Sequence, residues 1–206
     1  MNSKGLNSSL LIIFDFDGVL ADSKDAYAAQ MKETIESISK KTFSEKIFSE
    51  RVGNTDQKDD FKFFLETEDR NVIMEAAKKY EELTPKYAHL RSLYPGIRRI
   101  VENLHRIHYT GIVSRKPQDR MEYWLNFYDI QEHFDYPIGT VENTKSHAIR
   151  RIMSHYGFSS ERTMMIGDTE FDIQSAKEAG VISVAATYGS SKLGDLLKLK
   201  PDFVLN

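Results

Sequence analysis

The sequence predicts an α/β protein, with a parallel sheet covered by helices on both faces and an all-helical segment inserted after the first strand. Three observations carry this prediction. Short apolar runs at 10–14, 111–114, 163–166 and 181–185 read as buried strands, and Phe203–Leu205 supplies a fifth. Amphipathic helical patterns lie between them, and strands alternating with helices imply parallel pairing. From Asp22 to Arg91 the alternation stops, and only helical patterns appear.

Taken in order, Leu11-Ile12-Ile13-Phe14 is an apolar strand that runs straight into Asp15-Phe16-Asp17-Gly18. The stripe Tyr27, Met31, Ile35, Ile38 predicts the first helix of the insert, and residues 72–90 predict a second long one. Gly53-Asn54-Thr55-Asp56 reads as a turn between helices. Tyr94-Pro95-Gly96 marks the return to alternation. Helices follow from Ile97, Ile100, Val101, Leu104, then from Met121, Trp124, Leu125, Tyr128, then from Ile149, Ile152, Met153, Tyr156. The expected division is thus a core of residues 1–21 and 92–206 and a helical cap of residues 22–91. A cap placed beside the two acids would exclude water and contact substrate.

Composition narrows the function classes. A chain of 206 residues can bury a sizeable core with a small insert. With 40% apolar and 29% charged residues it has the make-up of a soluble globular protein. The net charge of -3 gives no general attraction to nucleic acid or to an anionic membrane. The absence of cysteine excludes disulfides, thiolate zinc sites and cysteine nucleophiles. The longest apolar run, residues 10–14, is too short to span a bilayer, so a cytoplasmic location is expected.

Asp15 and Asp17 stand two residues apart, and alternate side chains of an extended chain share a face across roughly 6.6 Å. Both can therefore look into one site at the carboxyl end of a buried strand, where ligands bind in such sheets. A buried strand has no packing use for two unpaired carboxylates. An Asp-Gly turn after an edge strand is the plainer alternative. A second apolar strand also ends in acids, at Gly167-Asp168-Thr169-Glu170-Phe171-Asp172. Asp168 is a candidate metal ligand. Asp172 serves either there or as a cap for the following helix, whose first turn favours acids. A few hard carboxylate oxygens suit Mg²⁺. Ser114 ends another strand, as a phosphate ligand or as a local cap, and Arg115-Lys116-Pro117 leads into a helix whose early amides can bind an anion. Lys145 opens a further helix, where a cation opposes the dipole unless an anion is bound beside it, with a solvated surface lysine as the plainer alternative.

Together these residues resemble the haloacid dehalogenase superfamily of phosphatases, in particular phosphoglycolate phosphatase-like members with a helical cap inserted after the first motif. Asp15-Phe16-Asp17-Gly18-Val19-Leu20-Ala21-Asp22-Ser23 looks like motif one, Ser114 like motif two and Gly167 to Asp172 like motif four. Lys145 fits motif three, although the proline common after that lysine is absent, and Lys116 competes for the role. The resemblance implies a Rossmann-like core and a Mg²⁺-dependent phosphatase acting on a small phosphorylated metabolite. It makes Asp15 the nucleophile and Asp17 the acid and base. Asp15, Asp168, Asp172 and the backbone carbonyl of Asp17 would form the metal site, and Ser114, Arg115 and Lys145 would bind phosphate. Arg51, Asn54, Thr55 and Lys58, around the cap turn, would set specificity, with a solvated interhelical turn as the alternative. A sugar phosphomutase and a non-catalytic binding protein are the rival functions. The basic residues Arg98, Arg99, Arg106, Arg115, Lys116 and Arg120 are interleaved with Glu102 and Asp119, read as a scattered solvated surface and make no case for nucleic acid. Nothing in the sequence sets an oligomeric state.

Overall fold

Four consecutive apolar residues, Leu11–Phe14, form strand β1, and all four are buried. The computed structural model describes residues 8–51, 55–139 and 144–206. Along the chain, the elements after β1 are β2 (Ala21–Asp22), α1 (Lys24–Ser39), α2 (Glu45–Ser49), α3 (Gln57–Leu65) and α4 (Arg70–Tyr87). They continue with β3 (Ser92–Leu93), α5 (Ile97–Ile107), β4 (Tyr109–Val113), α6 (Gln118–Phe127), β5 (Tyr136–Ile138) and α7 (Lys145–Tyr156). β6 (Thr163–Gly167), α8 (Glu170–Ala179), β7 (Ile182–Ala186), α9 (Leu193–Lys198) and β8 (Phe203–Leu205) complete the order. The chain forms two compact units, Met1–Ala21 with Leu93–Asn206, and Asp22–Ser92.

The first unit is built on a six-stranded sheet in the order β5-β4-β1-β6-β7-β8, with every pairing parallel. The α/β class is as expected. Ile13 of β1 lies in register with Gly111 of β4 and Met165 of β6. The chain leaves β1 in one direction to β4 and later crosses to β6 on the other side. That reversal opens a crevice beyond the carboxyl ends of the central strands. Leu11 and Ile13 pack with Ile149 and Ile152 of α7, Met165 of β6 and Ala176 of α8. Phe14 turns to the opposite face, its ring edge-on to Phe134 at 6.1 Å. Burial on both faces explains why these strands read as unbroken apolar runs.

Three details depart from expectation, the first being that β8 is exposed along its length. Strand β5 was not anticipated: Tyr136-Pro137-Ile138 is short, half-buried and interrupted by a proline, which is tolerated because β5 is the sheet edge. Ile100, assigned to the apolar stripe of α5, is 47% exposed, while Ile97 and Val101 are buried.

The second unit has its own core of Met31, Ile35, Phe48, Phe61, Phe64, Ala76 and Tyr80. Buried Gln30 donates from Nε2 to the Thr84 hydroxyl at 2.8 Å, linking α1 to α4. The helix expected over 72–90 is α4, and it tightens into a 3₁₀ turn at Ala88–Leu90, a common way for a helix to end. Among the described residues, no helix is long and apolar enough to cross a membrane.

Candidate active site

The end of β1 is held in the sheet by Asp15, whose amide donates to the Ile166 carbonyl at 2.9 Å. The chain then turns sharply, with Leu20 donating to the Phe16 carbonyl at 2.9 Å and Gly18 to the Ala21 carbonyl at 2.8 Å. Gly18 has a φ of 81°, and a Cβ there would lie 2.0 Å from Asp168 Oδ2. Only glycine lets the turn close on that carboxylate.

Buried acids gather behind this turn. Asp15, Asp168 and Asp172 each place a carboxylate oxygen within 4.8 Å of the others. Asp168 and Asp172 are fully buried and Asp15 nearly so. Lys145 Nζ lies among them, 2.6 Å from Asp172 Oδ1 and 3.1 Å from Asp15 Oδ1. Lys145 is only 6% exposed, which rules out a solvated surface lysine. Of the two roles considered for Asp172, the structure shows the helix cap, and it adds an ion pair to Lys145. Asp172 Oδ2 accepts from the Thr169 amide and hydroxyl in a capping box at the start of α8, while Oδ1 holds Lys145. Packing of α7 against α8 brings the first residue of one helix to the first turn of the other.

The remaining predicted residues line the same end of the sheet. Asp17 keeps 36% of its side chain exposed, and Lys116 Nζ pairs with its Oδ2 at 3.1 Å. Lys145 thus meets the buried acids and Lys116 meets Asp17. Ser114 is buried at the end of β4, and its hydroxyl accepts from the Lys116 amide at 3.2 Å while keeping its own proton to donate. The Arg115 guanidinium lies 5.1 Å from the centre of the Phe171 ring, over the first turn of α8.

Burial dominates the electrostatics. It raises Asp15 to about 6, with Asp172 and Asp17 adding to the rise and Lys145 and the Phe16 amide opposing it. Burial, reinforced by Asp172 and Asp15, raises Asp168 to about 8 against the hydrogen bonds from Ser190. For Lys145 burial alone would lower the pKa, but Asp15 and Asp172 more than reverse it, so the ammonium is held above its ordinary range.

A match to the model of haloacid dehalogenase-like hydrolases spans residues 12–186 and so includes Asp15, Asp17, Ser114, Lys145, Asp168 and Asp172. The chain belongs to that family. A phosphoglycolate phosphatase of Vibrio cholerae is 28% identical over 97% of this chain and 93% of its own. The pyrophosphatase PpaX of Halalkalibacterium halodurans is 26% identical over 94% of this chain and 91% of its own. Among solved structures, a haloacid dehalogenase-like family hydrolase from Streptococcus pneumoniae superimposes with a TM-score of 0.82. It is 24% identical, over 97% of this chain and 94% of that one. A predicted phosphoglycolate phosphatase from Haemophilus somnus gives 0.84 at 19% identity, over 97% and 95%. At these identities the superpositions establish the shared fold.

In this haloacid dehalogenase-like hydrolase one wall of the site escaped the sequence reading. The loop after β7 brings the Ser190 amide to Asp168 Oδ2 at 2.6 Å. Both the amide and the side chain of Ser190 bind Asp168, but a serine in a Gly-Ser-Ser loop matches no motif, so nothing in the sequence signalled it. The four residues expected to set specificity belong to the helical unit. Arg51 Nε and the Thr55 hydroxyl both bind Asp60 Oδ1 at 2.6 Å, and the Tyr27 hydroxyl binds Asp60 Oδ2 at 2.7 Å. Arg51 also stacks on Phe63 at 4.1 Å. Lys58 is exposed on α3, and Asn54 lies outside the described residues.

Proposed function

We propose that this hydrolase is a Mg²⁺-dependent phosphatase that cleaves a small phosphate monoester through a phosphoryl group carried on Asp15. The observation that supports it most is Lys145, buried between Asp15 and Asp172. A structural salt bridge in that position would hold one acid. Three converging carboxylates and one lysine instead suit a site that receives both a cation and a phosphoryl group.

The donor set fits a hard divalent cation. Among the described residues no donor reaches the buried Oδ1 of Asp168, an orphan that a metal would satisfy. Asp15 and Asp168 would hold Mg²⁺ with the Asp17 carbonyl, Asp172 standing beside them. Bound there, the ion would offset repulsion between the attacking carboxylate and the phosphoryl oxygens.

The chain's own groups account for the rest. The Asp15 carboxylate attacks phosphorus, needing no proton removed at neutral pH because its pKa stays near 6. The ester oxygen leaves with the bonding pair and takes the proton of Asp17. Asp17, now a carboxylate, accepts a proton from water, whose oxygen attacks the phosphorus of the Asp15 phosphate. Orthophosphate leaves, and Asp15 and Asp17 return to their first states. Ser114 and Lys145 bind the non-reacting phosphoryl oxygens throughout. The exposure of Asp17 suits a group that must meet both leaving oxygen and water. The names of the relatives make phosphoglycolate and pyrophosphate the first substrates to try.

Replacing Asp15 with Asn tests the reading. Turnover of an aryl phosphate with Mg²⁺ should fall to background while the circular dichroism spectrum and melting temperature stay near wild type. Near-normal turnover would remove Asp15 as the nucleophile.

A further inference from the structure

The loop at 187–191 has no part in the chemistry above, yet it grips Asp168 at several points. The Ser190 amide donates to Asp168 Oδ2 at 2.6 Å, and the Ser191 amide donates to the Asp168 carbonyl at 3.3 Å. A Cβ on Gly189 would lie 2.3 Å from Asp168 Cβ and 2.5 Å from the Gly18 carbonyl oxygen. The loop backbone therefore lies directly against both the carboxylate and the turn after Asp15. Its amide takes one Asp168 oxygen, and among the described residues no donor reaches the other, Oδ1.

Two tyrosines fasten this loop. The Tyr188 hydroxyl donates to the Val19 carbonyl at 3.2 Å, bridging the loop to the Gly18 turn. The Tyr94 hydroxyl donates to the Tyr188 carbonyl at 3.3 Å, and their rings meet edge to face at 4.8 Å. The Tyr94 amide in turn donates to the Leu20 carbonyl at 3.1 Å. Burial and the neighbouring Asp168 carboxylate both raise the Tyr188 phenol, so it stays protonated and able to donate.

We propose that residues 187–191 are a positioning element for the metal-binding carboxylate of Asp168, with Tyr188 as the strut that sets the loop against the Gly18 turn. The inference rests on the Mg²⁺ reading above. Groups that orient a metal ligand from behind typically change metal affinity by about 10- to 100-fold when lost. Tyr188 acts one step further back, through the loop, and contributes one hydrogen bond. Its loss should weaken Mg²⁺ binding by about threefold to tenfold.

The test is isothermal titration of the full chain with MgCl₂, for wild type, Tyr188→Phe and Tyr94→Phe, alongside metal-free melting temperatures. Tyr188→Phe keeps the ring and removes only the strut, so the metal-free melting temperature should fall by no more than about 5 °C while the Mg²⁺ dissociation constant rises about threefold to tenfold. Tyr94→Phe should shift the constant in the same direction. A Tyr188→Phe dissociation constant equal to wild type would overturn the inference, whatever its melting temperature. Failure of the wild type itself to bind Mg²⁺ would overturn the metal reading and this inference with it.

Discussion

Replacing Lys145 with Met tests the electrostatics of the site at its centre. The ammonium lies 2.6 Å from Asp172 Oδ1 and 3.1 Å from Asp15 Oδ1, with 6% of its side chain exposed. At an effective dielectric constant near 20, each contact at about 3 Å is a gross attraction of roughly 5 kcal/mol. Desolvation of the three groups cancels much of this. Measured losses on breaking a buried ion pair run to about 3–5 kcal/mol, because the partner charge is left uncompensated. Total stability is on the order of 5–15 kcal/mol, so the variant would lose a large share of it. The loss must depend on pH. In the wild type Asp15 is raised above its unfolded value to about 6, so folding takes up a proton between roughly pH 4 and 6 and stability falls as pH rises through that window. Without Lys145 the Asp15 pKa rises further, and the decline continues to higher pH. The gap between variant and wild type should therefore widen from pH 6 to pH 8, by up to about 1.4 kcal/mol per pH unit for each proton involved. Urea unfolding without Mg²⁺ at pH 5, 6, 7 and 8 measures it. A loss below about 1 kcal/mol, the size expected of a surface lysine, or one that does not change with pH, would refute the reasoning.

Two further outcomes follow from the same geometry. Gly18→Ala places a Cβ 2.0 Å from Asp168 Oδ2 at a φ of 81°, so stability should fall by more than about 1 kcal/mol and turnover should collapse; normal turnover with an unchanged melting temperature would contradict it. Apparent Mg²⁺ affinity should rise as pH rises from 6 to 8, by up to about tenfold per unit, because Asp168, raised to about 8, must lose its proton to bind the ion; a flat Mg²⁺ titration midpoint over that range would count against Asp168 as a ligand.

Much of the fold was legible because burial on both faces writes itself as unbroken apolar runs. The runs at 10–14 and 163–166 fall on β1 and β6, which lie side by side at the sheet centre. Asp15, Asp168 and Asp172 stood out because carboxylates following buried strands have no packing use. What stayed hidden depends on contacts between elements. Spacing along the chain could not choose between Lys145 and Lys116, since the difference lies in the packing of α7 on α8, which puts Lys145 between two acids. Strand β5 was too short, and its proline too atypical, to announce itself. The 187–191 loop acts through the amide and side chain of Ser190 and the closeness of Gly189, none of which forms a motif in the sequence.

The central claim is a phosphoryl group carried by Asp15. Acid quenching of the enzyme during steady turnover of an aryl phosphate, followed by proteolysis and peptide mass spectrometry, tests it directly. The account predicts a phosphoryl group on the peptide that contains Asp15 and none in the Asp15→Asn variant. Full turnover with no phosphorylated enzyme trapped at any quench time, or a phosphoryl group mapped to another residue, would contradict it.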